Sequence, residues 1–261
     1  LATGIDPLAL DEVATAIEAS LGQPLDAVFA EFDESEAAAS LGQVHHARLK
    51  DGTEVAVKVQ YPGIADAVAA ELTLAGLMPG VGPVKKWGFD LAGYKAALKG
   101  NMDRELDYRN EAERQIRFRE RVTVPGLVVP AVHSNLSSER LLVQDWHLGV
   151  RLADVAYWTP KDRTEVGRIL LATLFKSLFD AGEVHGDPHP GNAYFHKSPT
   201  ATPVVVLMDF GCTAPVREVQ RMALLKLILS LREGRNDMAL RAFAGMGFDP
   251  VKLSAISESM P

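Results

Sequence analysis

The segment EVHGDPHPGNAYF, residues 183–195, places two histidines, an aspartate and an asparagine among two prolines and two glycines. Proline and glycine at this density prevent a regular helix or a central strand, so we expect a rigid, irregular loop that carries polar side chains. An apolar helical pattern, residues 162–182, precedes the loop, and the apolar run PVVVLMDFG, residues 203–211, follows it. The segment therefore predicts a functional loop held between two buried elements.

Three oxygen-bearing side chains lie in and after this loop. Asn192 follows Asp187 by five positions, and Asp209 ends the apolar run. Carboxylate and carboxamide oxygens are the hard ligands that Mg²⁺ binds together with phosphate oxygens. The turn-rich residues 196–203 predict a hairpin that brings Asn192 beside Asp209.

Each of these residues alone fits an ordinary role, such as an aspartate that caps a turn or an asparagine that supports a loop. The combined pattern D-x-x-x-x-N … D-F-G favours the phosphoryl-transfer arrangement of kinases. It predicts Asp187 as the catalytic residue, Asn192 and Asp209 as metal ligands, and ATP and Mg²⁺ as cofactors. His185 and His189 do not predict zinc, because their loop is rich in proline and has no nearby cysteine.

The same hypothesis requires a strand lysine that contacts phosphates and a helical glutamate that pairs with it. Asp51-Gly52 predicts a two-residue hairpin turn, and the strand EVAVKVQ, residues 54–60, then carries Lys58 in the V-A-x-K context of kinases. A charged helix over residues 95–122 supplies the partner. From the residues alone that partner stays open, and a solvated face is the ordinary alternative for each candidate: Glu105, Asp107, Glu111 and Glu113.

A nucleotide-covering loop is expected between the first two strands, in AAASLGQV, residues 37–44. Kinases usually place several glycines there, because backbone N–H groups without neighbouring side chains approach phosphate closely. This loop has one glycine, and its additional Cβ atoms restrict how it folds over a nucleotide. The predicted nucleotide-contacting residues here are Ala37, Ala38, Ala39, Ser40, Gly42 and Val44.

Composition excludes some functions. With 27 basic and 34 acidic residues the formal charge is −7, which argues against a diffuse phosphate-seeking surface for nucleic acid. The single cysteine, Cys212, excludes an intramolecular disulfide and fits a reducing compartment, either cytoplasmic or like an organellar matrix. No apolar run reaches the roughly 18 residues that span a bilayer.

The order of the patterns predicts a two-lobed α+β architecture. Residues 1–31 are expected to form a helical N-terminal extension, in which PLDAVFAEF, residues 24–32, is a short helix. Residues 32–146 are the expected β-rich N-lobe with inserted helices. Residues 147–261 are the expected, mostly helical C-lobe, which carries the catalytic loop and the DFG segment.

These motifs together resemble the AarF/UbiB family of atypical protein-kinase-like ATPases. The resemblance covers nearly everything from about Phe32 to Gly211, with the motifs in the family's order. One family element has no match, because LGQPL, residues 21–25, lacks the lysine of the upstream K-x-G-Q motif. The segment after DFG also lacks the A-P-E signature of protein kinases, so a conventional peptide-binding activation segment is not expected. The matching motifs are AAASLGQVHHARL, GTEVAVKVQYPGI, ELDYRNEAERQ, VHGDPHPGN and VLMDFG.

The resemblance implies a bilobal protein-kinase-like fold and a role for each matched position. Lys58 corresponds to the nucleotide-contacting lysine and Glu111 to its helical partner, whereas Glu105 and Asp107 match the family's E-x-D element. The segment QDWHLG falls where a hinge touches adenine, through backbone groups around Asp145 and Trp146. The resemblance also implies a role in ubiquinone or isoprenoid-lipid metabolism, with peripheral contact to a membrane and to lipid- or quinone-pathway enzymes.

Two alternatives remain beside an atypical kinase or ATPase. The first is a small-molecule phosphotransferase of the aminoglycoside or choline kinase type, which shares the H-G-D-x-x-x-x-N loop. The second is a pseudokinase scaffold that binds nucleotide and uses it as a conformational switch. The alanine-rich loop favours the switch, whereas the complete set of five kinase residues favours catalysis.

Overall fold

A computed structural model describes residues 8–38, 41–67, 70, 100, 106–197 and 201–247. The helices are α1 (Leu10–Leu21), α2 (Leu25–Val28), α3 (Tyr108–Arg121), α4 (Leu152–Val155), α5 (Pro160–Phe175), α6 (Glu218–Glu233) and α7 (Asn236–Met246). The strands are β1 (Phe29–Ala38), β2 (Gly42–Leu49), β3 (Glu54–Gln60), β4 (Leu127–Val128), β5 (Leu141–Asp145), β6 (Glu183–Val184), β7 (Ala193–His196), β8 (Val204–Leu207) and β9 (Ala214–Pro215). Strands dominate the first part of the described chain and helices the last, as the α+β prediction requires.

The N-lobe contains an antiparallel sheet with the strand order β1-β2-β3-β5. The predicted Asp51-Gly52 turn joins β2 to β3, and Gly52 has a left-handed φ of 90° that favours glycine. Strand β5 comes from far along the chain and places Leu142 directly opposite Lys58. The strand that carries the lysine therefore lies inside the sheet, paired on both sides.

The two faces of β3 carry different residues. Val55, Val57 and Val59 point to one face, where they pack with Val13 and Ile17 of α1 in a buried apolar cluster. Burial of each such side chain contributes roughly 1.5–3 kcal/mol, so the cluster anchors α1 to the sheet. Successive side chains of a strand alternate between faces, and the lysine at position 58 therefore faces away from α1 and toward α3.

Helix α3 contacts both lobes. At its start Tyr108 and Ala112 pack against Leu142 of β5. Near its end Phe118 is fully buried in the C-lobe core together with Phe210. One helix thus fixes the sheet relative to the DFG segment.

The C-lobe positions the catalytic-loop segment between α5 and a small sheet. Helix α5 continues into a π-helical segment, Lys176–Ala181, and ends at Gly182 with φ 74°. The small sheet has the order β4-β8-β7, and the β7–β8 hairpin pairs Ala193 with Leu207. This is the hairpin that the turn-rich residues 196–203 predict.

The helix predicted over residues 24–32 is wrong beyond Val28. Phe29 pairs with Leu49 and Phe32 with Ala47, so the segment extends into β1 because pairing with β2 overrides its helical pattern. The predicted start of the N-lobe at residue 32 lies inside this strand. Of the helix predicted over residues 95–122, α3 covers Tyr108–Arg121, and the described residues 106 and 107 just before it are not helical, so the predicted continuous helix is wrong at this point. Residues 95–99 and 101–105 lie outside the described residues.

Two adjacent histidines of β2 have opposite surroundings. His45 is buried, donates from Nδ1 to the Asp33 carbonyl and accepts at Nε2 from the Gln43 amide, a pattern that suits a neutral ring. Burial lowers the pKa of His45. For His46, burial acts in the same sense, but the carboxylates of Asp33 and Glu54, one at each ring nitrogen, outweigh it and raise the pKa. Two acceptor carboxylates require both nitrogens of His46 to donate, which only the imidazolium can do.

We predict opposite pH dependences for variants of this pair. His45 has a lowered folded pKa, so its contribution to stability is present above the ordinary value of 6.5 and is lost as the pH falls. His46 has a raised folded pKa, so its contribution is present below 6.5 and is lost as the pH rises. Urea unfolding of wild type, His45→Asn and His46→Asn across about pH 5.5–8 measures both effects. The stability difference from wild type should shrink on acidification for His45→Asn and on alkalinisation for His46→Asn; parallel curves would contradict the assigned protonation states.

Candidate active site

A buried ion pair joins β3 to α3. The Lys58 Nζ donates to both carboxylate oxygens of Glu111, at 3.0 Å and 2.9 Å. The two side chains are 12% and 7% exposed. Among the described acidic candidates of the predicted helix, Glu111 is therefore the partner of Lys58. Glu105 lies outside the described residues.

Burial and the neighbouring charges shift the pKa of both members of this pair. Burial disfavours the ammonium of Lys58, but the nearby carboxylates of Glu111 and Asp209 outweigh burial and raise the pKa of Lys58. Burial raises the pKa of Glu111, and Lys58 opposes that shift. The lysine therefore stays positively charged at neutral pH and is held by carboxylate on the helix side.

Three backbone contacts fix the start of α3 and so place Glu111. The Asp107 side chain caps the helix by accepting from the Arg109 N–H. The Tyr108 N–H donates to the Glu139 carbonyl, and the Gln60 amide of β3 donates to the Leu106 carbonyl at 2.6 Å. Asp107, predicted as part of the E-x-D element, thus acts here as a helix cap.

Asp209 lies across from this pair. Its Oδ2 is 4.0 Å from the Lys58 Nζ, and its side chain is 43% exposed. The residue has a φ of 59°, in the left-handed region, and its Oδ1 accepts from the Gly211 N–H at 3.1 Å. This local bond is what lets an aspartate occupy a conformation that otherwise favours glycine.

Helix α3 also holds the residues after Asp209. Phe210 is fully buried and contacts Phe118 with ring centroids 5.2 Å apart. Arg114 donates to the Gly211 carbonyl. Position 114 lies three residues after Glu111 on the same helical face, a spacing that could have identified this arginine from the sequence.

The catalytic-loop residues form a connected unit. The Asn192 Nδ2 donates to the Asp187 Oδ2 at 2.8 Å, and the Met208 N–H donates to the Asn192 carbonyl at 2.8 Å. Asn192 therefore lies beside the residue that precedes Asp209, as the hairpin prediction requires. Asp187 is exposed at the surface of the loop.

The loop and the DFG segment touch through a glycine and a histidine. A Cβ at Gly186 would lie 2.1 Å from the Cys212 carbonyl oxygen, and its φ is 79°, so any other residue would separate the two segments. His185 donates from Nε2 to the Met208 carbonyl at 3.3 Å and packs its ring against Phe210. His185 thus supports the DFG segment, a role that the sequence did not indicate.

The residues predicted to contact nucleotide are described in part. Ala39 and Ser40 lie outside the described residues, and for Ala37 and Ala38 only the backbone pairing with β2 is described. A Cβ at Gly42 would lie 2.0 Å from the Val59 carbonyl oxygen, so the close approach of β2 to β3 requires this glycine. Val44 pairs directly with Lys58 and shares its face of the sheet.

The predicted hinge has fewer free backbone donors than expected. The Asp145 N–H donates to the Ala131 carbonyl, and the Trp146 N–H donates to the Glu54 carbonyl. The Asp145 carboxylate accepts from the His133 ring at 3.0 Å. These two N–H groups are therefore not free to donate to adenine in this structure, and the predicted contact through backbone groups around Asp145 and Trp146 would have to use their carbonyls or neighbouring residues.

The donor set fits Mg²⁺ on its chemistry. Asn192 uses its amide nitrogen on Asp187, which leaves the amide oxygen facing away from that bond, and the Asp209 carboxylate is half-exposed. Among the described residues, no group of three or more His, Cys, Asp or Glu could hold a metal ion. A site with one carboxylate and one amide oxygen suits Mg²⁺ that is completed by phosphate oxygens.

A mostly apolar cavity of about 810 Å³ adjoins the loop of residues 185–192, and Asp187 and Asn192 are among its lining residues. Leu170, Leu171 and Leu174 of α5 form one wall, and the loop forms another. Neither Lys58 nor Asp209 lines it. Its apolar lining makes it unsuitable for the phosphates of a nucleotide.

The family model described as the ABC1 atypical kinase-like domain matches residues 1–241. The chain belongs to the ABC1 atypical kinase-like family. AarF domain-containing protein kinase 1 of Xenopus tropicalis is 34% identical over 218 residues, 81% of this chain and 41% of that protein. A chloroplastic, uncharacterised aarF domain-containing protein kinase of Arabidopsis thaliana is 32% identical over 264 residues, 98% of this chain and 36% of that protein.

The solved structure of Rv3197 from Mycobacterium tuberculosis, in complex with erythromycin, is similar to this chain. It matches with a TM-score of 0.73 and 32% identity, over 91% of this chain and 60% of that one. The chain spans about two fifths of the length of the two curated relatives. The predicted family and the α+β kinase-like fold are confirmed.

We predict strong thermodynamic coupling between Lys58 and Glu111. Replacing Lys58 by methionine leaves the Glu111 carboxylate buried without a partner and should lower the free energy of unfolding by about 3–5 kcal/mol. Replacing Glu111 leaves Lys58 with only the half-exposed Asp209 carboxylate at 4.0 Å and should cost somewhat less. The double variant Lys58→Met/Glu111→Met should recover most of that loss, because no unpaired charge remains. Urea unfolding of the four proteins gives the coupling energy.

The exposed pair Arg109–Glu139 provides the control for this cycle. Both of its side chains are more than half exposed, so removing either or both should change stability little. Additive losses at Lys58 and Glu111 would show that the two do not form a buried pair in solution.

Proposed function

We propose that this ABC1 family chain binds ATP in a Mg²⁺-dependent manner and transfers or hydrolyses its terminal phosphate. The observation that supports this most directly is the buried Lys58–Glu111 pair with the half-exposed Asp209 carboxylate 4.0 Å from the same ammonium. A structural ion pair would not need a further, solvent-accessible carboxylate at its edge. A phosphate-binding lysine, in contrast, is expected beside an accessible carboxylate that can bind a metal ion.

Lys58 is proposed to contact the phosphates of ATP. An ammonium has three N–H donors, and Glu111 accepts at both carboxylate oxygens, which still leaves a donor for an incoming anion. The raised pKa of Lys58 keeps this donor charged throughout the physiological range. Glu111 fixes the direction of the ammonium.

Asn192 and Asp209 are the residues that would hold Mg²⁺. When bound, the ion would neutralise charge on the phosphate oxygens. Asn192 presents its amide oxygen because its nitrogen is committed to Asp187. Asp209 is held in place by the Gly211 N–H and by burial of the adjacent Phe210.

Asp187 is proposed to act on the attacking hydroxyl or water. Its Oδ2 accepts from the Asn192 amide, which restrains the orientation of the carboxylate. Its Oδ1 remains to accept a proton from a nucleophile or to orient a water. The exposure of Asp187 allows such a nucleophile to reach it.

The biological setting is a further proposal that rests on the family resemblance. We propose a role in ubiquinone or isoprenoid-lipid metabolism in a reducing compartment, with peripheral contact to a membrane and to lipid- or quinone-pathway enzymes. Within the described residues, no helix is long and apolar enough to cross a membrane. Small-molecule phosphotransfer and a nucleotide-driven switch are the competing functions, and the experiment below separates both from ATP hydrolysis.

We predict that Asp209→Asn and Asp187→Asn act differently. Asp209→Asn should weaken Mg²⁺-dependent ATP binding by about 10-fold or more, because it removes a carboxylate ligand. Asp187→Asn should leave binding nearly unchanged and reduce turnover by about 10²-fold or more. Calorimetry with and without Mg²⁺ gives the binding constants, and phosphate release gives the turnover.

The outcomes distinguish the candidate functions. Equal binding constants for the two variants would contradict the assigned roles. Binding of ATP without turnover, in wild type and both variants, would favour the nucleotide-driven switch. Turnover that rises only when a hydroxylated acceptor such as choline or an aminoglycoside is added would favour small-molecule phosphotransfer.

A further inference from the structure

Tyr108 is a third side chain around the Lys58 ammonium. The Lys58 Nζ lies over the Tyr108 ring, 4.8 Å from its centroid. Tyr108 is 2% exposed, so no layer of bulk water separates the ring from the ammonium. Tyr108 and Glu111 lie three positions apart on α3, a spacing that places both on one helical face.

The ring is held by both elements that define the site. Its side chain packs with Ala112 of α3 and with Leu142 of β5. Leu142 is the direct cross-strand neighbour of Lys58. The backbone N–H of Tyr108 donates to the Glu139 carbonyl, which fixes the first turn of α3. The ring therefore cannot shift without moving the strand or the helix.

An aromatic face and a carboxylate hold an ammonium in different ways. The carboxylate neutralises the charge and accepts hydrogen bonds from the ammonium. The ring attracts the charge through its quadrupole and leaves the N–H groups that point away from it free to donate. Burial raises the pKa of the Tyr108 hydroxyl, so the ring stays neutral. A neutral aromatic wall adds no further negative charge that would compete with a phosphate for the ammonium.

We propose that Tyr108 is a positioning residue that confines the Lys58 ammonium between its ring and Glu111, aimed at the phosphates of ATP. This inference rests on the proposed nucleotide-binding function. The ring carries the effect rather than the hydroxyl, because the hydroxyl is buried and has no hydrogen-bond partner within the described part of the chain. Removing that hydroxyl should therefore cost little.

Two variants separate ring from hydroxyl. Tyr108→Phe keeps the ring and should bind ATP with Mg²⁺ as wild type does. Tyr108→Leu removes the ring and should weaken ATP binding about tenfold. Adenosine has no phosphates, so its affinity should be the same in all three proteins. A tenfold loss in Tyr108→Phe equal to that in Tyr108→Leu would overturn the assignment to the ring.

A second readout needs no nucleotide. Trinitrobenzenesulfonate reacts with the unprotonated amine, so its rate of modification of Lys58, followed by mass spectrometry of the Lys58 peptide, reports how strongly the ring stabilises and shields the protonated form. The rate should rise several-fold in Tyr108→Leu and stay unchanged in Tyr108→Phe. An unchanged rate in Tyr108→Leu would overturn the proposal.

The same measurements separate failure of this inference from failure of the proposed function. If wild type binds no ATP, the proposed function falls, and the modification rates alone decide whether Tyr108 confines Lys58. Should Tyr108→Leu not fold, as judged by thermal unfolding, Tyr108→Met replaces it, because a flexible methionine fills irregular space. Loss of adenosine and ATP affinity together in that variant would indicate a merely structural role and would overturn the proposal.

Discussion

Burying the ammonium of Lys58 and the carboxylate of Glu111 costs several kcal/mol per ion, and only close, well-aimed contact between them offsets that cost. The surrounding structure holds the two side chains in this alignment. The lysine is fixed by pairing on both sides of β3, and the glutamate is fixed by the capped and tethered first turn of α3. A small rotation of α3 would separate two buried charges, so the stability of the site depends on the position of this helix.

The same helix sets the position of the DFG segment. One turn after Glu111 on α3, Arg114 donates to the Gly211 carbonyl. Two turns after Glu111, Phe118 packs against Phe210. The orientation that pairs Glu111 with Lys58 is therefore also the one that brings Asp209 within 4.0 Å of the lysine. Three groups from distant parts of the sequence converge because one rigid element touches all of them.

The sequence predicted the parts of this site that depend on local spacing. Asp187, Asn192 and Asp209 follow from two short motifs and one turn, and the structure brings Asn192 beside Met208 as that turn requires. The choice of Glu111 could not come from the helix itself, since its acidic neighbours have the same chemistry. The choice depends on which face of α3 packs against the sheet. That is a tertiary contact, and only the family resemblance indicated it.

Other features depended on pairing between distant segments and were out of reach. The N–H groups of Asp145 and Trp146 are used on Ala131 and Glu54, which depends on the register of β5 against its neighbours. The segment from Phe29 to Phe32 has a helical pattern, yet it extends because β2 offers it hydrogen-bond partners. Such competition between local preference and long-range pairing is invisible in a single stretch of sequence.

Helix α3 belongs to the apolar contacts of both lobes, with Tyr108 and Ala112 against the sheet and Phe118 in the C-lobe core. Neither lobe can lose its structure without exposing part of the surface that the other needs. The two lobes are therefore expected to behave as a single cooperative folding unit, not as two foldons. The contacts of Lys58 with Glu111 and of Arg114 with Gly211 span 53 and 97 residues of chain. Such long-range contacts form slowly, so we expect this site to assemble late in folding.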